Sequence, residues 1–389
     1  MIYIKILILD PSDLSSFGSG QIRKLLLTLL AIRSLKFKIT LIINYKSAVI
    51  QLDLINTDNK ALSMHMRRLF LLRSSRPRIL SDFVTSLYII FKYLLLRGLN
   101  SFDLVLLEHY NYGFTAPILR LLKPLVYDAH AVEYELATTI RSKIFISVQE
   151  LMALKYSDLI IVLSKADALQ FNYLYKIPLN KIMIIPLPMI NKLPKLLGDF
   201  STIQELKRKF KEKLTQKYGD DVINKPLIVF HGSLKYAPNK EAVDFIINNL
   251  APKCAECIFI IMGPDPPYVG RSDNVIFTGF VKNVEEILLA CDLAIIPIKR
   301  TTGVNIKVYD YIAYGLPIIA TRPILRWFNV NMVKGTAVIT TLNCFEKSLR
   351  QVLDTGYINT MWAGERKLKD YARDYALAIL KALKIKVKQ

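Results

Sequence analysis

Short runs rich in Ile, Leu and Val alternate with longer helix-patterned stretches twice over along this chain, and that alternation admits few folds. In the first half the strand candidates are 2–9, 40–44, 104–108, 125–127, 159–163 and 182–185. In the second half they are 227–230, 258–262, 275–277 and 293–297, with helices expected over 240–250 and 284–290. Val243, Ile246, Ile247 and Leu250 fall at i, i+3, i+4 and i+7, so one face of that helix should lie on a sheet. Between the halves, residues 187–225 are proline-marked and then charge-rich, which reads as a boundary. The expected division is an N-terminal α/β domain over 1–188, a linker and charged helix over 189–222, a second α/β domain over 223–365, and a terminal helix over 366–389 that packs back on the first domain.

Length and composition agree with this plan. A chain of 389 residues suits two cores better than one, and 52% apolar content is globular. The apolar start meets Asp10 and Pro11 too soon for a leader peptide, and no run reaches the roughly 18–20 apolar residues of a membrane span. A cytoplasmic protein is expected. The four cysteines include Cys254-x-x-Cys257, but no second pair or histidine partner lies nearby, so packing is the expected role. A formal charge of +21 calls for an anionic partner without choosing which.

One segment carries more chemistry than the rest. Gly303-Val304-Asn305-Ile306-Lys307 leads through Asp310 to Gly315 and the apolar run 316–321. A loop glycine opens a helix, a lysine and an acid lie three residues apart on it, and a second glycine ends it before a strand. Helix-start amides and Lys307 suit a diphosphate, and the Asp310 carboxylate suits a vicinal diol. Two further loops could approach an anion. One is Gly18-Ser-Gly20, ahead of a helix expected over 21–30. The other runs from His231 through Gly232, Ser233 and Lys235 to Pro238 and Asn239, with Asn239 expected to cap the following helix.

The segment Gly-x-x-x-Lys-x-x-Asp-Tyr-x-Ala-x-Gly-x-Pro-Ile-Ile-Ala resembles the donor-site signature of glycosyltransferase family four (group 1). Met262-Gly263-Pro264, the run from Val275 to Val281, and Cys291-Asp292 leading to Pro297 follow in the family's order. The resemblance implies the GT-B architecture, two Rossmann-like domains facing a cleft, and transfer of a hexose from a nucleotide-diphosphate sugar to an acceptor hydroxyl, with retention at the anomeric carbon. It implies no cofactor and no metal, since fixed positive groups stabilise the leaving diphosphate. Lys235 and Lys307 are expected to take that charge, with Gly232, Ser233, Gly303 and Val304 around the phosphates. Asp310 is expected on the ribose, the backbone at Phe280 and Val281 on the base, and Gly18 and Gly20 beside the donor.

In the first half, Tyr127-Asp128-Ala-His130 leaves a strand directly into polar residues, and a histidine at the carboxyl end of a parallel strand faces the crevice where such sheets bind ligands. His130 also resembles the family's cleft histidine, which implies contact with the donor sugar or the acceptor. Departures from the family pattern are Thr302 and Asp310 where many relatives carry two glutamates, and Leu187-Pro188 where others carry Asn-Gly. Loss of the first glutamate raises a second reading, a catalytically silent nucleotide-binding subunit on the same fold. An epimerase sharing the fold is a third. A nucleic-acid partner is not expected, because no helix-turn-helix, zinc or aromatic stacking motif accompanies the charge. Arg67, Arg68, Arg73, Arg76 and Arg78 precede the apolar stretch 83–96, which suits adsorption to an anionic membrane surface. The expected partners are therefore a nucleotide sugar, a glycan or lipid-linked acceptor, and the inner face of the cell membrane.

Overall fold

The computed structural model describes residues 4–13, 24–25, 27–29, 38–45, 48–56, 62–71, 101–137, 139–188, 200–301, 303–326, 337–355 and 368–384. The chain divides into two compact units, one of Met1–Pro188, Thr302–Val304 and Lys367–Gln389, the other of Met189–Thr301 and Asn305–Arg366.

The first unit is built on an eight-stranded sheet of β1 (Lys5–Asp13), β2 (Lys38–Tyr45), β3 (Ala48–Asn56), β4 (Leu62–Leu71), β5 (Leu104–Glu108), β6 (Leu125–Asp128), β7 (Leu159–Val162) and β8 (Ile182–Ile184), in the order β4-β3-β2-β1-β5-β6-β7-β8. The run from β2 to β8 through β1 is parallel, whereas β3 and β4 extend it antiparallel. These two antiparallel strands were not expected. Their signal was present, since Ile50, Leu52 and Leu54 alternate with Gln51 and Asp53, the period of a strand with one polar face. Arg67 and Arg68 lie in β4, while Arg73, Arg76, Arg78 and the stretch 83–96 fall outside the described residues.

Central strands β5, β6 and β7 are buried throughout, the mark of a sheet covered on both faces. Helices α1 (Ala116–Leu122), α2 (Ile140–Tyr156) and α3 (Lys165–Tyr175) connect these strands. A reciprocal cap between Thr139 and Ser142 starts α2, and Ser164 accepts from the Asp167 amide to start α3. The C-terminal helix Leu368–Ala382 packs against β6 and β7, burying Tyr371 and Tyr375 completely.

The second unit opens with α4 (Phe200–Tyr218) and carries a seven-stranded sheet: β9 (Leu227–His231), β10 (Ile258–Met262), β11 (Gly270–Ser272), β12 (Val275–Gly279), β13 (Leu293–Ile296), β14 (Ile318–Thr321) and β15 (Ala337–Thr340). Its order is β11-β12-β10-β9-β13-β14-β15, parallel except for the short edge strand β11. Helices α5 (Ala237–Phe245), α6 (Val284–Ala290), α7 (Ile306–Ala313) and α8 (Phe345–Thr355) complete it.

Helix α5 begins three residues earlier than the sequence suggested. Tyr236 is its N-cap and Pro238 sits in its first turn, where a missing N–H costs nothing. Asn239 is thus inside the helix and does not cap it. The helix then widens into one π turn, Ile246–Leu250, which leaves Val243, Ile246 and Leu250 buried and Ile247 only partly covered.

Candidate functional site

In both sheets, apolar strands run into polar or glycine residues at their carboxyl ends, the edge where parallel α/β sheets bind ligands. In the second unit three of these ends are stitched together. The Gly232 amide donates to the Met262 carbonyl (2.9 Å), and the Gly263 amide to the Gly279 carbonyl (3.0 Å). Gly232 and Gly263 have φ near +150°, and a Cβ on Gly263 would stand 2.1 Å from the Gly232 carbonyl oxygen. Only glycine allows these loops to approach so closely.

Lys307, in the first turn of α7, is buried above this edge. Its Nζ donates to Asn239 Oδ1 (2.7 Å) and lies 4.2 Å from the centroid of the Phe230 ring. Burial pushes its ammonium down to about 7. Asn239 Nδ2 in turn donates to the Ser233 carbonyl (2.9 Å). One turn along α7, Asp310 Oδ2 pairs with His231 Nε2 at 3.2 Å, and the His231 amide donates to the Tyr311 hydroxyl (3.0 Å). A buried cation, a carboxylate, an imidazole and a glycine loop therefore share one sheet edge, a set that can hold a diphosphate and a diol.

Lys307, Asp310, Gly232 and Ser233 are brought together here. Lys235 is not part of the cluster: its side chain is 78% exposed and pairs with Asp265 at 3.0 Å. Phe280, after β12, is 63% exposed, and Val281 is partly buried beside it. Gly303 is buried with φ +66°, and Val304 is partly buried. Gly18, Gly20 and Thr302 lie outside the described residues. Sequence reasoning missed Phe230, His231, Asn239 and Tyr311 as participants. The readable signal for His231 was its place directly after an apolar strand; Asn239 gave none beyond its supposed capping role.

In the first unit the corresponding edge is a buried polar network. Lys24 Nζ donates to Asp128 Oδ1 and reaches Glu108 Oε2 at 3.5 Å. Glu108 Oε2 also meets His130 Nε2 at 2.7 Å, and the Tyr375 hydroxyl donates to Asp128 Oδ2 (2.5 Å). Burial drives the His130 imidazole well below its ordinary value, with Lys24 and His109 adding to the effect. The ring is neutral at pH 7. His109, held at φ 75°, pairs with Glu133 Oε1 at 2.9 Å and stands edge-on to His130, with ring centroids 5.6 Å apart. Glu133 is tied back through its amide to Glu150 Oε1 (2.9 Å), and Tyr175 donates to Glu150 Oε2 (2.5 Å). Burial raises Glu150 to about 8.

Two parallel-sheet α/β units with these site-bearing edges define the GT-B architecture of glycosyltransferases. Residues 225–353 match the family model described as Glycosyl transferases group 1, which covers the β9–α8 region and with it the Lys307 cluster. Solved structures similar to the whole chain include sucrose-phosphate synthase from Thermosynechococcus elongatus (14% identity, 98% of this chain and 96% of that one, TM-score 0.65). Anabaena Alr3699/HepE in complex with UDP is similar at 13% identity, 98% of both chains and TM-score 0.59. WaaG, a glycosyltransferase involved in lipopolysaccharide biosynthesis, is similar at 13% identity, 98% of this chain, 100% of that one and TM-score 0.62. Among curated proteins none matches. No helix among the described residues is long and apolar enough to cross a membrane.

Proposed function

We propose that this protein transfers a hexose from a nucleotide-diphosphate sugar to an acceptor hydroxyl of a glycan or lipid-linked glycan, with retention and without a metal ion. The observation that carries the reading is Lys307: a buried ammonium whose hydrogen-bond partner is a neutral amide, at the carboxyl edge of a parallel sheet beside a glycine loop. Such a group lowers stability unless an anion arrives to meet it. The diphosphate supplies that anion, and its charge grows as the bond to the sugar breaks, so Lys307 stabilises the transition state more than the ground state.

In this reading Asp310 takes the ribose hydroxyls and is oriented for them by His231. Gly232, Ser233, Gly303 and Val304 offer backbone groups to the phosphates, Lys235 leaves Asp265 to add a second positive charge, and Phe280 and Val281 meet the base. His130 is assigned to the sugar or acceptor end. UDP-sugars are the first donors to test, because Alr3699/HepE has been solved with UDP-glucose. The silent-subunit alternative is not favoured by the comparisons. Incubation with UDP-, ADP- and GDP-sugars and mass analysis of the products tests the activity, and unchanged turnover in excess EDTA is the expected sign of metal independence.

A peripheral membrane location has its own support among the described residues. Ile140, Ile144 and Val148 recur at i, i+4 and i+8 on the exposed side of α2, with Arg141 and Lys143 beside them. An apolar stripe edged by cations suits an anionic lipid surface.

A further inference from the structure

The Lys307 cluster is joined by one side chain that no phosphate-binding role explains. Asn239 Oδ1 accepts from Lys307 Nζ (2.7 Å), and its Nδ2 donates to the Ser233 carbonyl (2.9 Å). The same amide lies directly under Gly232, where a Cβ would come within 2.5 Å of Nδ2. Helix α7 and the Gly232–Ser233 loop, distant in sequence, are thus spaced by a single neutral group. Asn239 is itself only 7% exposed, in the first turn of α5.

We infer that Asn239 is the positioning residue of the diphosphate site: its amide holds Lys307 and the Ser233 loop in register and, being uncharged, leaves the lysine's counter-charge to the ligand. This rests on the diphosphate reading above. An aspartate at this position would neutralise Lys307 permanently and compete with the ligand. An asparagine satisfies one ammonium hydrogen and adds no charge.

The other groups around Lys307 leave this arrangement in place. From β9 come the Phe230 ring, against which Nζ rests, and His231, which is engaged with Asp310 of the lysine's own helix. On α5, Lys240 pairs with Asp244, and Glu241 pairs with Arg300, all at the surface. Lys235 is occupied by Asp265. Burial alone sets Lys307 at about 7, so at pH 8 the empty site holds mostly neutral amine. A bound diphosphate, fully ionised at that pH, draws the proton onto Nζ.

Calorimetric titration of the full chain with UDP, ADP and GDP at pH 8, in two buffers of different ionisation enthalpy, measures the protons taken up. The wild type should take up protons as nucleotide binds. Asn239→Asp, which keeps the side-chain shape, should take up about none and bind at least about tenfold more weakly. Asn239→Ala should keep the proton uptake and lose affinity. Wild-type affinity in both Asn239→Asp and Asn239→Ala, or equal uptake in Asn239→Asp, overturns the inference while leaving the donor reading intact. Absence of binding to all three nucleotides overturns the donor reading and this inference with it.

Discussion

Replacing Lys307 by methionine should stabilise the protein while weakening its binding of a nucleoside diphosphate. Methionine preserves the length of the stem and deletes the buried charge. Holding this ammonium at about 7 instead of 10.5 corresponds to about 5 kcal/mol of desolvation. Against that gain, Asn239 Oδ1 loses its donor, at about 1–3 kcal/mol, and the contact with the Phe230 ring is worth about 0.5–2 kcal/mol. A net stabilisation of up to about 3 kcal/mol remains, or a rise of up to roughly 10 °C in midpoint for a unit of this size. Binding of the diphosphate should weaken about ten- to a hundredfold through loss of a charge-assisted hydrogen bond. Because the folded value lies below the unfolded one, the unfolded chain binds more protons between pH 7 and 10.5, so the wild type gains stability relative to Lys307→Met as pH rises through that window. Scanning calorimetry at pH 7 and 10, with nucleotide titration on the same samples, gives both readings. A variant less stable than wild type at pH 7, with unchanged nucleotide affinity, would refute the reasoning, since Lys307 would then be a structural residue.

Other outcomes follow from the same geometry. Asp310→Ala should weaken nucleotide binding about tenfold or more with little effect on the thermal midpoint, because His231 and Asp310 form a partly exposed pair; unchanged affinity removes Asp310 from the ribose. His130→Ala should retain nucleotide affinity and lose turnover, and wild-type rates at saturating donor and acceptor would make His130 structural. Glu150 is raised in the fold to about 8 from 4.5, so its favourable contribution is complete below pH 4.5 and is lost as pH rises through 8; Glu150→Gln should flatten stability against pH over that window, as urea unfolding at several pH values would register. Vesicle sedimentation should find salt-sensitive binding to anionic lipid that Ile144→Glu weakens, whereas a protein that ignores anionic vesicles at low salt has no membrane affinity through this face.

The parallel core was readable because strands buried on both faces spell continuous apolar runs: Leu104–Glu108 and Ile258–Met262 were both delimited from composition alone. The antiparallel strands β3 and β4 were missed because Gln51 and Asp53 in β3, and Ser63, His65, Arg67 and Arg68 in β4, lower local hydrophobicity below that of the central strands. At the site, Lys307 and Asp310 were legible from helix spacing and family likeness. Asn239 was misjudged because a polar residue near a proline at a helix start reads as a cap, and only the packing of α7 over β9 gives its amide another partner. The links from Lys24 to Asp128 and from Tyr375 to Asp128 join residues 104 and 247 positions apart, and no local pattern encodes them.

The central claim is that the Lys307 edge accepts the diphosphate of a sugar donor and releases it after transfer. It is tested most directly by following release of nucleoside diphosphate from UDP-, ADP- and GDP-sugars by the full chain, with and without glycan and lipid-linked acceptors, in wild type and Lys307→Met. The account predicts acceptor-dependent release from one donor class, a glycosylated product of matching mass, and loss of both in Lys307→Met. Equal release by the two proteins would contradict it, as would failure of the wild type to bind any of these donors.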